Sequence, residues 1–259
     1  MIRKVHYCWF GGKIPAHVAA NVEIWRRLNP SFEFCEWNEN NSDVSAYAFG
    51  RRAWQQKKWG FVSDIVRLQK LYSEGGFYLD TDVELLRPLE ILAPEGNHLM
   101  LGYIFNCALG TAVLYSPPRH PVIQKLLQEY HQIGNEAWPV NNTIFTDYFI
   151  NHVPGYLLNG RRWKSDAEKI SIYPKEFFEQ PTFLRERGIS IHHCSGSWMP
   201  KNAGTAFKVN AAGESRKIKW LKRKIRTSFA CLRSEYRNVY WHALRGHRFS
   251  HISTWRKSI

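Results

Sequence analysis

The sequence predicts an α/β protein. Short apolar strands alternate with amphipathic helices, a Gly-Gly pair closes the clearest helix, and no internal repeat or low-complexity linker interrupts the pattern. A chain of 259 residues, 44% hydrophobic and 22% charged, has the composition of a globular protein and can bury one large core, with or without a small appendage. Aromatics at 15%, with 11 Trp, suit a site that handles bases or sugars and equally a well-filled core.

The elements follow in order. Residues 5–10 form a first strand that stops at Gly11-Gly12, and Pro15 opens a helix to about residue 28. Residues 32–37 alternate as a second strand, and 38–59 are polar and helical in parts. Across 61–73, apolar residues at 61, 62, 65, 66, 68, 71 and 72 keep a helical period until Gly75-Gly76 ends it. Residues 77–79 are then a short apolar strand that delivers Asp80. Strands at 99–103 and 108–115, helices at 121–133 and 142–153, and short strands at 170–173 and 189–193 complete a sheet expected to be largely parallel. Residues 204–213 look like a hinge, so the chain divides into a body, 1–213, and a basic helical tail, 214–259.

The formal net charge of +14 suggests nucleic acid until it is located. From Ser215 onward there are thirteen Lys/Arg and one acid, Glu235, whereas residues 1–214 are nearly balanced. In the tail, Ile218, Leu221, Ile225, Phe229, Leu232 and Tyr236 recur at 3–4 spacing between the basic residues. This is a basic amphipathic helix, expected to bind an anionic membrane surface or a partner. Five scattered cysteines without a CxxC favour free thiols in a reducing compartment. The N-terminus lacks an apolar run of signal-peptide length, and the 99–115 run is broken by Asn106. The expected location is therefore cytoplasmic, peripheral at the inner face of the cell membrane.

Asp80 and Asp82 carry the chemistry. Two carboxylates one residue apart, at the end of a buried strand, can point at one spot. Hard oxygen ligands there suit Mg²⁺ or Mn²⁺ carrying a diphosphate, with the ligand beyond the carboxyl ends of the strands. A lone DxD is weak evidence, a solvated turn being the plain alternative, but the helix, Gly-Gly stop and strand before it strengthen the site. Asp64 and Arg67, i and i+3 on the preceding helix, form either an exposed ion pair or a clamp for ribose, sugar hydroxyl or phosphate. His192 and His193 close the last strand. Either imidazole can ligate Mn²⁺, and strand alternation lets only one face the site, with His192 favoured. Trp9 could stack on a base, and Asn106, polar in an apolar run, could meet a sugar hydroxyl; core packing is the bland account of both.

Together these residues resemble glycosyltransferase family 32, a DxD-motif family with capsular-polysaccharide and initiating-mannosyltransferase members, and the catalytic domain of the large clostridial glucosylating toxins. The resemblance runs through His6-Tyr7-Cys8-Trp9-Phe10-Gly11-Gly12, Ser63-Asp64-Ile65-Val66-Arg67, Gly75-Gly76-Phe77-Tyr78-Leu79-Asp80-Thr81-Asp82, and His192-His193 with Ser197-Trp198. It spans roughly residues 1–200 and leaves the tail uncovered. It implies a GT-A (Rossmann-like) fold, a nucleotide-sugar donor, Mn²⁺ dependence and retention of anomeric configuration. By the same resemblance Trp9 lies against the base, Asp64 and Arg67 meet ribose and sugar, Asp80 sits near ribose and metal, and Asp82 ligates the metal. Ser197 and Trp198 are placed on the substrate side, Trp198 at the leaving diphosphate. The toxins carry a carboxylate near where this chain has His192 and His193.

The function so implied is transfer of a hexose, from a UDP-linked donor by preference, to a glycan or lipid-linked oligosaccharide in surface polysaccharide biosynthesis. The competing class is a basic nucleic-acid-binding protein or metal-dependent nuclease. A nearly neutral body with no basic stripe around the DxD disfavours it.

Overall fold

The structure, a computed structural model, describes residues 1–134, 136–180 and 188–194, together with Ile218, Leu221, Lys222 and Ile225 of the tail. Ser197, Trp198 and the body–tail boundary expected at 213/214 lie outside the described residues.

The chain opens with β1 (Lys4–Cys8), α1 (Ala16–Leu28), β2 (Glu33–Trp37), α2 (Ala48–Gln55) and α3 (Trp59–Ser73). It continues through β3 (Gly76–Leu79), β4 (Val83–Leu85), a 3-10 segment (Leu89–Glu95), β5 (Leu99–Phe105) and β6 (Ala108–Ser116). Then come α4 (Pro121–His131), α5 (Asn141–His152), β7 (Trp163–Ser165), β8 (Ile170–Tyr173), α6 (Lys175–Phe178) and β9 (Ser190–His192).

Among the described residues, seven strands form one sheet in the order β2-β1-β3-β6-β5-β8-β7, and β4 pairs with β9 in a separate ribbon. The expected parallel pairing holds at β2-β1-β3 and at β5-β8. Between them, β6 runs antiparallel to both β3 and β5, and β7 is antiparallel to β8. The sheet is therefore mixed. Its consequence is that the carboxyl ends of β1, β2, β3, β5 and β8 share one edge with the β5–β6 turn.

The strand period places the core. Along β3, Phe77 and Leu79 face a layer built from Val22 and Trp25 of α1 with Leu89 and Leu92. Tyr78 faces the opposite layer, where Ile65 and Leu68 of α3 pack with Phe49, Ile123, Phe145 and Phe149. Helices thus cover both faces, as a sheet with apolar residues on both sides requires.

The α3–β3 join depends on its glycines. Gly75 and Gly76 have φ of +68° and +106°, in the left-handed region. A Cβ on Gly75 would sit 2.7 Å from Pro118 Cδ, and one on Gly76 would sit 2.8 Å from the Lys4 carbonyl oxygen. Only glycine lets α3 reverse so tightly onto a strand squeezed between β1 and β6.

Candidate active site

β3 ends at Leu79, one residue before the acidic couple, so the two carboxylates do not share a strand face as the simple i, i+2 argument has it. Residues 80–83 form a turn closed by the Val83 N–H donating to the Asp80 carbonyl at 2.9 Å. The ribbon completes the convergence. Val83 is in register with His192, and the His193 N–H donates to the Asp82 carbonyl at 3.0 Å. Ligand atoms of Asp80, Asp82 and His192 consequently lie within 4.8 Å of one another. His192 Nε2 is 3.3 Å from Asp82 Oδ1.

The next residue points elsewhere. His193 Nε2 pairs with Glu84 Oε2 at 2.9 Å, outside the Asp80–Asp82–His192 cluster. β9 ends at His192, and His193 is the first residue beyond it.

Behind Asp80 lies a buried ionic group. Arg67 Nη2 is 2.9 Å from Asp64 Oδ1 and 3.3 Å from Asp80 Oδ1. Its Nη1 donates to the Thr111 carbonyl at 2.9 Å and its Nε to the Ser63 carbonyl at 3.3 Å. The guanidinium lies over the Tyr78 ring, and the Tyr78 hydroxyl donates to Asp80 Oδ1 at 3.0 Å. Arg67 and Asp64 are both buried, so this pair is not the exposed one that spacing alone allowed.

Electrostatics follow burial. Desolvation pushes the Asp64 carboxyl up to about 7 against the opposing pull of Arg67. Asp80 is raised for the same reason, with Arg67 again opposing. Burial works against the His192 imidazolium, but Cys194, Glu179 and Asp82 outweigh it and raise the group well above its ordinary value.

Two more expected residues, Trp9 and Asn106, lie at the carboxyl edge of the strands. Trp9 follows β1 at the same edge; its backbone N–H donates to the Trp37 carbonyl at 2.9 Å. Its indole N–H is buried and meets no acceptor among the described residues. Asn106, between the strands expected at 99–103 and 108–115, is exposed in the β5–β6 turn, where its side-chain oxygen accepts from Lys175 Nζ. A cleft of about 260 Å³ lies apart from the cluster, lined by Asp43, Val44, Arg51 and Trp54 among others, and no cluster residue lines it. Sequence reasoning missed Glu179, a buried carboxylate 2.6 Å from His192 Nδ1.

The α/β sheet brings a DxD couple and a third candidate ligand to the carboxyl edge of its strands, where ligands of such sheets bind, as expected for the GT-A-type fold. Residues 15–99, which include Asp64, Arg67, Asp80 and Asp82, match the family described as "Glycosyltransferase sugar-binding region containing DXD motif". That match covers about a third of the chain and includes its acidic couple. Among curated proteins it is similar to Subversion of eukaryotic traffic protein A of Legionella pneumophila, at 24% identity over 151 residues, covering 43% of this chain and 23% of that protein. The chain thus spans under a quarter of the length of that relative. Solved structures it resembles include the PaToxG glycosyltransferase, with TM-score 0.49 and 18% identity over 60% of this chain and 70% of that one. Another is the apo-form glycosyltransferase GlyE of Streptococcus pneumoniae, with TM-score 0.49 and 12% identity over 97% and 66%.

Proposed function

We propose that this chain transfers a hexose from a nucleotide sugar, UDP-linked by preference, to a glycan or lipid-linked oligosaccharide of a surface polysaccharide. In this reading the anomeric configuration is retained, and Mn²⁺ or Mg²⁺ is held by Asp80, Asp82 and His192. The convergence of those three side chains within 4.8 Å carries the proposal. The donor set fits the group: two hard carboxylates suit either ion, and the imidazole favours Mn²⁺ over Mg²⁺. When bound, the cation would supply Lewis-acid neutralisation of the diphosphate.

The protein's own residues do the rest. Arg67 and Tyr78 fix the Asp80 carboxylate, so the site is formed before substrate arrives. Trp9 offers an aromatic face for the base and an indole N–H without an acceptor among the described residues. The acceptor hydroxyl attacks the anomeric carbon on the face the diphosphate leaves; its oxygen forms the new glycosidic bond, the old C–O bond breaks, and its proton passes to the departing phosphate.

In the tail, Ile218, Leu221 and Ile225 are helical and 47%, 52% and 55% exposed. Their spacing supports an amphipathic element, 214–259, docking on an anionic membrane surface at the cytoplasmic face. Among the described residues no helix is long and apolar enough to cross a membrane.

A panel of nucleotide sugars incubated with the chain and Mn²⁺ tests the central reading, because slow donor hydrolysis needs no acceptor. Release of nucleoside diphosphate from one donor, abolished by chelation, is expected. No release from any donor, and no donor binding, would overturn it.

A further inference from the structure

One buried carboxylate has no part in the reading above. Glu179 follows α6 and is 1% exposed. Its Oε2 lies 2.6 Å from His192 Nδ1, and its carbonyl accepts from the His192 N–H at 3.1 Å. A carboxylate only accepts hydrogen bonds, so the proton of this contact sits on Nδ1. That leaves Nε2, 3.3 Å from Asp82 Oδ1, as the nitrogen turned toward the acidic couple.

The fold makes room for Glu179 deliberately. Gly102 of β5 and Gly110 of β6 are register partners in the middle of the sheet. A Cβ on Gly102 would sit 2.8 Å from Phe178 Cδ2, and one on Gly110 would overlap Glu179 Oε1. The two glycines open a slot into which the end of α6 presses. Around it the Ser190 hydroxyl donates to the Phe178 carbonyl at 2.7 Å, and Gln180 Nε2 donates to the Ile104 carbonyl at 3.1 Å. A carboxylate buried this deeply is costly unless paired, and its side-chain partner is His192.

We propose that Glu179 is the positioning residue of the candidate cation site, fixing the ring orientation and tautomer of His192 so that Nε2 faces the ion. A buried acceptor behind a ligating imidazole does this generally, and its loss typically costs about 10–100-fold in metal affinity. The inference rests on the metal reading of Asp80, Asp82 and His192, and the experiment separates the two.

Mn²⁺ binding to the full chain, read from the EPR signal of free Mn²⁺ without donor or acceptor, is compared across variants with their melting temperatures. Asp82→Asn and His192→Ala should weaken binding strongly. Glu179→Ala should weaken it about 10–100-fold. Glu179→Gln, nearly isosteric and still able to accept from Nδ1–H, should lose only several-fold and serves if the alanine variant does not fold. Wild-type affinity in both Glu179 variants, with His192→Ala impaired, would overturn the positioning role and leave the metal site standing. Affinity indifferent to both Asp82→Asn and His192→Ala would overturn the metal site, and this inference with it.

Discussion

Arg67 and Asp80 meet across 3.3 Å, in a contact made from inside helix α3 to the first residue beyond strand β3. The same Nη2 also meets Asp64, while Nη1 and Nε donate to the Thr111 and Ser63 carbonyls. Arg67 thereby holds the Asp80 carboxylate at the sheet edge. The amphipathic helix before the acidic couple is thus part of the site.

Replacing Arg67 by Met should leave Asp64 buried, and Asp80 part-buried, without their cation. Breaking a buried ion pair from one side costs about 3–5 kcal/mol. Urea unfolding of Arg67→Met should show a loss of that order. Adding Asp64→Asn should return part of it, because the two sites share one interaction. Strictly additive losses would contradict the shared ionic group.

Asp82→Asn separates chemistry from stability. The Asp82 side chain is 21% exposed and bears no part of either core layer. The variant should keep the wild-type melting temperature to within a few degrees and lose more Mn²⁺-dependent donor hydrolysis than the roughly 100-fold that outer-shell changes cost. Full Mn²⁺-dependent turnover would remove Asp82 from the ligand set.

Legibility in the sequence follows the range of the interactions. The α3–Gly75-Gly76–β3 unit is readable because helical period, glycine stop and strand are all local, and both glycines have the positive φ that such a stop requires. That only one of His192 and His193 joins the acidic cluster is readable from strand alternation, but which of the two is not. The insertion of antiparallel β6 between β3 and β5 is not, since sequence order does not fix spatial order in a sheet. Asn106 falls in the gap between the strands expected at 99–103 and 108–115, a hairpin turn, where Asn is favoured. Glu179 lies 13 residues from its partner and carries no motif. Its one signal was indirect: Gly102 and Gly110, glycines inside apolar strands, mark a close approach by another segment.

Acid should loosen the fold through its buried histidines. His6 is fully buried, donating from Nε2 to the Gly75 carbonyl at 2.9 Å and accepting at Nδ1 from Trp37 at 3.1 Å. Burial lowers its pKa from the ordinary value, against the raising effect of the Gly75 contact. The unfolded chain then binds the proton more readily than the native one. Stability due to His6 is complete above its unfolded pKa, about 6.5, and is lost as pH falls below it toward the native value. The slope is at most about 1.4 kcal/mol per pH unit for one proton. The raised Asp64 carboxyl works in the opposite direction, so the readout is the difference between wild type and His6→Asn in urea midpoints from pH 8 to 5. That difference should shrink with acid; a constant difference would show that His6 titrates alike in both states.

The tail should bind anionic vesicles through both its charge and its apolar stripe. Each basic residue near such a surface contributes about 1 kcal/mol, and thirteen Lys/Arg lie beyond residue 214. Deleting 214–259 should abolish sedimentation with phosphatidylserine vesicles while leaving donor hydrolysis by the body intact. Leu221→Asp and Ile225→Asp, at helical and exposed positions, should weaken vesicle binding without lowering the melting temperature, because neither side chain is buried in the fold. Binding that survives the two aspartates but falls steeply with salt would assign the attachment to charge alone. Binding that survives deletion of the tail would move the membrane contact to the catalytic body.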